Sequence, residues 1–215
     1  MYVPAHFAAG DEDALIARLA RRRAGVLVTV DEAGAPVATH TPIVWDAAQK
    51  IARGHIARAN GQWRHGPGRG LIVLGGAEGY VSPAWYPSKA EHGRAVPTWN
   101  YEAVHIAGRV EWFDDPARLE ALVRDLSHLH EHDRAEPWAL GDAPRAYIEA
   151  LLRGVVGLAL HAERIDAKRK LSQNKSAADF AGAAGGLAAS GDALAAEVAA
   201  LMRAERPLSD DPEGN

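Results

Sequence analysis

The chain has 215 residues, of which 47% are hydrophobic and 24% are charged, and its formal net charge at pH 7 is −4. This is an ordinary globular composition, so it excludes a disordered, fibrous or collagen-like protein. No cysteine is present. Disulfides, thiolate metal sites and a cysteine nucleophile are therefore excluded, and a reducing compartment fits the composition.

The first part of the chain predicts one helix followed by β-hairpins. Apolar residues at helical spacing indicate a helix over residues 11–23, with acids in its first turn and arginines in its last. Two β-rich runs, 26–30 and 36–45, flank a short turn that contains Gly34, which is typical of a hairpin. Further short strands are predicted over residues 51–56 and 71–74.

The rest of the chain predicts more strands, with helices at their edges. Residues 80–101 are rich in aromatic side chains and prolines and predict a long loop. A strand (101–113), two helices (115–129 and 145–152) and a closing strand (155–160) follow. Because strands and helices do not alternate regularly, we expect a mainly antiparallel sheet or small barrel rather than a doubly wound parallel sheet.

The composition changes after Ile165, and alanine becomes frequent. A Gly-rich break at Gly182, Gly185 and Gly186 is predicted to precede a helix over residues 190–203, with Ser190 near its N-cap. The acidic, turn-forming residues 207–215 predict a disordered tail.

Two polar segments offer anion-binding chemistry. Arg58 and Asn60 follow a predicted strand and combine a planar cation with an amide, which suits a phosphate, although the segment by itself does not establish an anion site. Between Arg164 and Lys175, five basic residues face a single acid, Asp166. That segment suits a phosphorylated ligand, a nucleic-acid backbone or a solvated basic turn.

All six tryptophans lie between Trp45 and Trp138, so they form either a bulky core or a platform for a flat ligand. In the aromatic segment, Trp85 and Trp99 stand beside small polar residues, as at a site for a planar heteroaromatic ligand or in a dimer interface. His128 and His132 have chelating spacing but lack a third ligand at a matching position, so no metal site is predicted. No nucleophile–base pattern assigns a catalytic residue.

Five ordered motifs carry a family resemblance. They are Met1-Tyr2-x-Pro4-x-His6-Phe7, Gly54-His55-x-Ala57-Arg58-Ala59-Asn60-x-x-Trp63, Ser82-Pro83-x-Trp85-Tyr86-x-x-Lys89, Val96-Pro97-Thr98-Trp99-Asn100-Tyr101-x-x-Val104-His105 and Lys170-Leu171-Ser172-Gln173-Asn174-Lys175. Together they resemble the PaiB-type proteins, known as FMN-binding negative transcriptional regulators, from the first residue to about Phe180. One departure is Gly61, where the family has proline; we expect it to loosen the turn after Asn60.

The resemblance implies a split β-barrel related to pyridoxamine 5′-phosphate oxidase, with a C-terminal helical extension, and a homodimer that binds FMN. It implies an FMN-binding domain over residues 1–165, a basic motif and helical extension over 166–206, and a tail over 207–215. Carried onto this chain, the FMN-contact candidates are Arg58, Asn60, Trp85, Lys89, Thr98, Trp99, Asn100, Tyr101, Lys170, Gln173 and Lys175.

The function implied is negative regulation of transcription by an FMN-binding protein. A flavin-dependent oxidoreductase and a haem-binding split barrel are the alternatives, because a bound flavin brings its own chemistry and the chain is rich in histidine. If DNA is bound, the segment from Arg164 to Lys175 is the expected contact, although a net charge of −4 does not favour nucleic-acid binding. The chain shows neither a signal-peptide pattern near Met1 nor a long apolar run, so we expect a cytoplasmic protein without a membrane span.

Overall fold

The computed structural model of the chain describes residues 1–206, and the predicted tail at 207–215 lies outside the described residues. Six α-helices and seven strands occur in the described part of the chain. In order they are α1 (Glu12–Arg22), β1 (Gly25–Val30), β2 (Pro36–Thr41), β3 (Ile43–Asp46), β4 (Ile51–Ala57), β5 (Gly68–Val81), α2 (Ser88–His92), β6 (Thr98–Phe113), α3 (Pro116–Glu131), α4 (Arg145–Arg153), β7 (Val155–Lys170), α5 (Ala177–Ala188) and α6 (Ala193–Glu205).

The strands form one sheet in the order β2-β1-β5-β6-β7-β4-β3. The pairs β1–β2, β1–β5, β3–β4 and β4–β7 are antiparallel. The chain forms two compact units. The first unit contains Met1 and residues 11–75 and 104–166, and the second contains residues 2–10 and 76–103 and the chain from residue 167. The predicted division into residues 1–165 and 166–206 stays a prediction.

In the first unit, the predicted hairpin is confirmed, but its second strand is shorter than expected. The Asp31 carboxylate accepts the amides of Ala33 and Ala35 at 2.9 and 2.8 Å, and Gly34 has a φ of 84° that favours glycine. The run 36–45 is divided at Pro42 into β2 and β3. Proline has no amide hydrogen for a ladder, so the two strands pair with different neighbours, β1 and β4.

Helices α3 and α4 cover an apolar cluster of the first unit. The buried members of this cluster are Phe113, Leu119, Leu122, Leu126, Leu140, Ile148, Leu152 and Ala159. The helix predicted at 11–23 is also confirmed: Leu15, Ile16 and Leu19 are buried.

In the second unit, α5 and α6 pack on a separate apolar cluster that includes Phe180, Leu187, Val198 and Met202. The predicted Gly-rich break is wrong, because α5 runs without interruption through all three glycines. A β-carbon at Gly182 would lie 2.0 Å from the Trp85 carbonyl oxygen, and one at Gly186 would lie 2.0 Å from the Trp85 ring. The glycines therefore allow the helix to approach Trp85 closely.

Strands β7 and β5 are both longer than predicted, and they run into the basic and aromatic segments. Strand β7 continues to Lys170, ten residues beyond its predicted end at residue 160, so much of the basic segment is strand rather than turn. Similarly, the 80–101 segment contains the end of β5, a 3₁₀ turn over Pro83–Trp85, helix α2 and the start of β6. These extensions determine which side chains share a face.

Candidate functional site

Three adjacent strands place aromatic and lysine side chains on one face of the second unit. Alternate side chains of a strand share a face, so Trp99 lies beside Tyr101 on β6 and Lys168 lies beside Lys170 on β7. The Lys168 Nζ lies 5.2 Å from the centroid of the Tyr101 ring, and the Tyr80 ring of β5 meets Trp99 edge-on with centroids 6.2 Å apart. We call Tyr80, Trp99, Tyr101, Lys168 and Lys170 the aromatic–lysine face.

Trp99 is 51% exposed on this face. A large indole ring that does not enter the core is free to cover a flat ligand. Tyr80 is also exposed, so the face offers an accessible aromatic surface next to its two lysines.

The lysines of this face carry positive charge that no carboxylate of the described residues neutralises through a salt bridge. The Lys170 Nζ donates to the Thr98 hydroxyl and, at 2.5 Å, to the Trp99 carbonyl oxygen, while Lys168 donates to the Tyr2 carbonyl oxygen at 3.3 Å. Within residues 1–206, neither lysine forms a salt bridge. Burial, reinforced by the charges of Lys168 and Lys175, lowers the pKa of Lys170. An anion placed here would relieve that repulsion.

The turn after β7 holds the other two predicted residues of the basic motif. The Gln173 side chain is folded back: its Nε2 donates to the Arg169 carbonyl oxygen at 2.6 Å, and its Oε1 accepts the Leu171 amide at 2.8 Å. The Lys175 Nζ lies 4.8 Å from the Tyr86 ring centroid. Gln173 therefore shapes the turn, whereas Lys175 keeps a cation available for a ligand.

Asn100 and Ser172 link two of the family motifs inside the second unit. Asn100 is fully buried; its Nδ2 donates to the Ser172 hydroxyl at 2.9 Å, and that hydroxyl donates to Asn100 Oδ1 at 3.2 Å. Ser172 adopts a φ of 64°, a left-handed conformation that is uncommon for a residue other than glycine. This pair connects the start of β6 to the turn after β7, and so positions Trp99 and Lys170.

The aromatic motif is fixed in a similar way. Asp179 of α5 accepts the Ser88 amide at 3.1 Å and the Ser88 hydroxyl at 2.8 Å. Trp85 packs on the glycines of α5, as described above, and Lys89 is exposed on α2. Trp85 is thus held by α5, while Lys89 is free to reach a ligand.

Arg58 and Asn60 lie in the first unit, where their side chains bind neighbouring protein groups. The Arg58 Nε donates to the Arg153 carbonyl oxygen at 2.9 Å and its Nη2 to the Val155 carbonyl oxygen at 3.2 Å. The Asn60 amide donates to the Thr39 hydroxyl at 2.8 Å, and its oxygen accepts the Gln62 amide at 3.0 Å. Both residues stabilise the local fold, and Asn60 caps the short 3₁₀ turn that follows it.

The FMN-contact candidates taken from the sequence leave out two members of the aromatic–lysine face, Tyr80 and Lys168. Their signal is the two-residue alternation of β5 and β7, which becomes visible only once those strands are known to extend to Val81 and Lys170.

The described residues contain no group of three or more His, Asp or Glu side chains that could hold a metal ion. His128 and His132 do come together, with ring centroids 5.0 Å apart, but without a third ligand. Nor does any helix within residues 1–206 combine the length and apolarity needed to cross a membrane.

Comparison with known proteins identifies the family. The family model described as "Putative FMN-binding domain" matches residues 1–164. The chain belongs to this FMN-binding family. A curated relative, "Protease synthase and sporulation protein PAI 2" of Bacillus subtilis (strain 168), is 30% identical over 184 residues, which is 84% of this chain and 86% of the relative. The resemblance to PaiB-type proteins and the cofactor it implies, FMN, are confirmed.

Solved structures confirm the fold. A conserved hypothetical protein of Mycobacterium tuberculosis, Rv2991, has a TM-score of 0.56 at 15% identity over 81% of this chain and 92% of its own. The flavocytochrome Anf3 of Azotobacter vinelandii has a TM-score of 0.54 at 15% identity over 78% of this chain and 72% of its own. The expected mainly β split barrel with flanking helices is confirmed.

The aromatic–lysine face fits this family's cofactor. FMN combines a flat, largely apolar ring system with a phosphate, and the face places the exposed Trp99 beside two lysines that have no carboxylate partner among the described residues. When bound, FMN supplies hydride and electron-transfer chemistry of its own. The residues of this chain then need only bind it, orient it and exclude water.

Proposed function

We propose that FMN binds on the aromatic–lysine face, and that in this state the protein acts as a negative regulator of transcription. The observation that supports the site most strongly is the pair Lys168 and Lys170, whose charges lack carboxylate partners within residues 1–206 beside the exposed Trp99. Phosphate is held best by charge-assisted hydrogen bonds. Lys170 and Lys175 supply those donors, the buried Lys168 adds positive charge beside them, and Trp99 and Tyr101 cover the isoalloxazine ring.

The remaining predicted residues have supporting roles in this proposal. Asn100 and Gln173 use their amides inside the protein, so they position the β6 and β7 ends rather than contact the cofactor. Thr98 anchors Lys170 through its hydroxyl. Arg58 Nε and the Asn60 amide bind protein oxygens, and neither residue belongs to the aromatic–lysine face, so the phosphate is assigned to the lysines instead.

The phosphate assignment is tested by comparing FMN with riboflavin, which lacks the phosphate. Titration of purified protein followed by flavin fluorescence should show that Lys170→Gln weakens FMN binding by about 10- to 100-fold, because one charge-assisted hydrogen bond contributes about 1.5–3 kcal/mol. Riboflavin binding should change little. Lys50→Gln, which removes the same charge at a residue paired with Asp13, is the matched control.

Two results would contradict this site. If Lys170→Gln bound FMN with unchanged affinity, Lys170 would not be a phosphate ligand and the proposed site would be wrong. Equal losses for FMN and riboflavin would show that the substitution damages the face rather than the phosphate contact.

The regulatory role rests on the PaiB resemblance, and the structure reduces the charge that the basic segment offers to DNA. Arg169 pairs with Glu102 at 3.1 Å and with Glu205 at 2.9 Å, and Arg164 lies 3.4 Å from Asp166. We therefore propose that the segment serves mainly the cofactor, and that any DNA contact depends on bound FMN. Gel shifts with the region upstream of the protein's own gene, with and without FMN at low salt, should show retardation only with FMN; no retardation in either case would refute repression by direct binding.

We also propose that the protein is a homodimer in the cytoplasm. Val96 is 71% exposed in the second unit, which also contains the exposed Trp99 and Tyr80. Apolar exposure of this kind is typical of an interface. Light scattering should give twice the chain mass of 22.9 kDa, and a mass of one chain at micromolar concentration would exclude the dimer.

A further inference from the structure

A cavity of about 690 Å³ lies in the first unit between the start of α3 and α4. Its size is within the range of small-ligand pockets, roughly 300–1,000 Å³. The buried side chains of Leu119 and Leu152 form an apolar lining, and the exposed Pro116 and Ala117 border it. An apolar group of a ligand would be removed from water here.

Most charges around this cavity already neutralise one another. Arg145 lies between two carboxylates: its Nη1 donates to Glu120 at 2.7 Å and its Nε donates to Glu149 at 2.8 Å. These hydrogen bonds lower the pKa of Glu120 and raise that of Arg145, so both stay charged at neutral pH. This cluster gives no net attraction for an anion, and its two carboxylates repel a ligand with two negative charges.

Arg58 differs from Arg145 because its orientation is fixed while part of its guanidinium remains available. Two backbone carbonyl oxygens, those of Arg153 and Val155, hold Nε and Nη2. Nη1 has one long contact, 3.4 Å, to Asp114, whose side chain is 69% exposed. A guanidinium has five N–H donors in a rigid plane. Arg58 can therefore donate hydrogen bonds to a ligand carboxylate and still keep its bonds to the two backbone carbonyl oxygens.

We propose that this cavity binds a small organic acid, a monocarboxylate joined to an apolar ring or chain. The carboxylate replaces Asp114 on Arg58 Nη1, and the apolar part lies against Leu119 and Leu152. Among the lining residues three arginines face three acids. Movement of the exposed Asp114 into solvent leaves one net positive charge, which matches a single carboxylate rather than a phosphate dianion.

The probe for this site is 4-(trifluoromethyl)benzoate, followed by ¹⁹F NMR on the full chain, with neutral 4-(trifluoromethyl)benzamide as its matched analogue. The benzoate should bind with a dissociation constant of about 1 mM or below, as expected for a ligand of this size, and the benzamide should bind at least about tenfold more weakly. Ala117→Trp should abolish benzoate binding by filling the cavity, whereas Ala117→Ser should leave it unchanged. Asp114→Asn should tighten it by about two- to fivefold, because a competing carboxylate is lost.

Equal binding of benzoate and benzamide, or benzoate binding to Ala117→Trp as to the unsubstituted protein, would overturn the proposal. Thermal melting checks that both Ala117 variants are folded; the position is exposed, so their melting temperatures should be unchanged. FMN added at saturation should not displace the probe. If FMN displaced the benzoate, the cavity would be part of the flavin site. That result would overturn the proposal of a separate carboxylate site, but it would not count against FMN binding by the protein.

Discussion

Replacing Gly186 by alanine should destabilise the protein, although alanine is normally the better helix residue. A β-carbon at position 186 would lie 2.0 Å from Trp85 Cδ2 and 2.4 Å from Trp85 Cγ, whereas ordinary contacts begin at 3.4 Å. The indole ring would have to retreat by more than an ångström within a packed unit. Overpacking of this kind costs about 1–3 kcal/mol, which exceeds the gain of about 1 kcal/mol in helix propensity.

Gly185 is the matched control, because it lies in the same helix and a β-carbon there would meet no atom within 4 Å. Gly185→Ala should therefore stabilise α5. With about 2 kcal/mol between the two variants, Gly186→Ala should melt roughly 4–8 °C below Gly185→Ala in differential scanning calorimetry. In a Trp85→Ala background the penalty of Gly186→Ala should disappear. Equal melting temperatures of the two alanine variants would refute the packing argument.

Three further predictions concern titration and turn geometry. Burial lowers the pKa of His55 below its usual 6.5, so as the pH falls this histidine is protonated in the unfolded chain before it is protonated in the folded protein. The free energy of unfolding should therefore be constant above about pH 7 and decrease as the pH drops through 6.5. His55→Gln should make this decrease shallower, as measured by urea unfolding. Burial acts to raise the pKa of Asp179, but the Ser88 hydroxyl and amide, together with the charges of Lys175 and His92, more than offset this and lower the pKa below its usual 3.8. Asp179→Asn should therefore lower stability at pH 7, and the difference from the unsubstituted protein should vanish once the pH falls through the folded-state pKa; a pH-independent loss would contradict this. Gly61→Pro should raise the unfolding free energy by about 0.5–1 kcal/mol, because Gly61 opens the 3₁₀ turn after Asn60 and a β-carbon there meets no atom within 4 Å; lower stability would mean that the glycine conformation is required.

Local patterns in the sequence predict the first unit well. The 31–35 turn, the buried stripe of α1 and the helices α3 and α4 all follow from spacing and turn chemistry that lie within a few residues of one another. The second unit is harder to predict, because its determinants are far apart in the chain. Gly182 and Gly186 suggest a break until Trp85, about a hundred residues earlier, is known to pack against them. Tertiary contact here overrides helix propensity.

The candidate site shows the same dependence on distant contacts. The residue types of the basic segment predict an anion site, but a charge count treats its members as equal. In β7 they alternate: Lys168 and Lys170 share the face with Tyr101 and Trp99, whereas Arg169 contacts Glu102 and Glu205. Strand geometry thus separates the ion-paired Arg169 from two lysines that have no carboxylate partner within residues 1–206. Because these lysines have no carboxylate partner within residues 1–206, removing them should affect a bound phosphate, while removing Arg169 should chiefly affect stability by freeing α6 from β7.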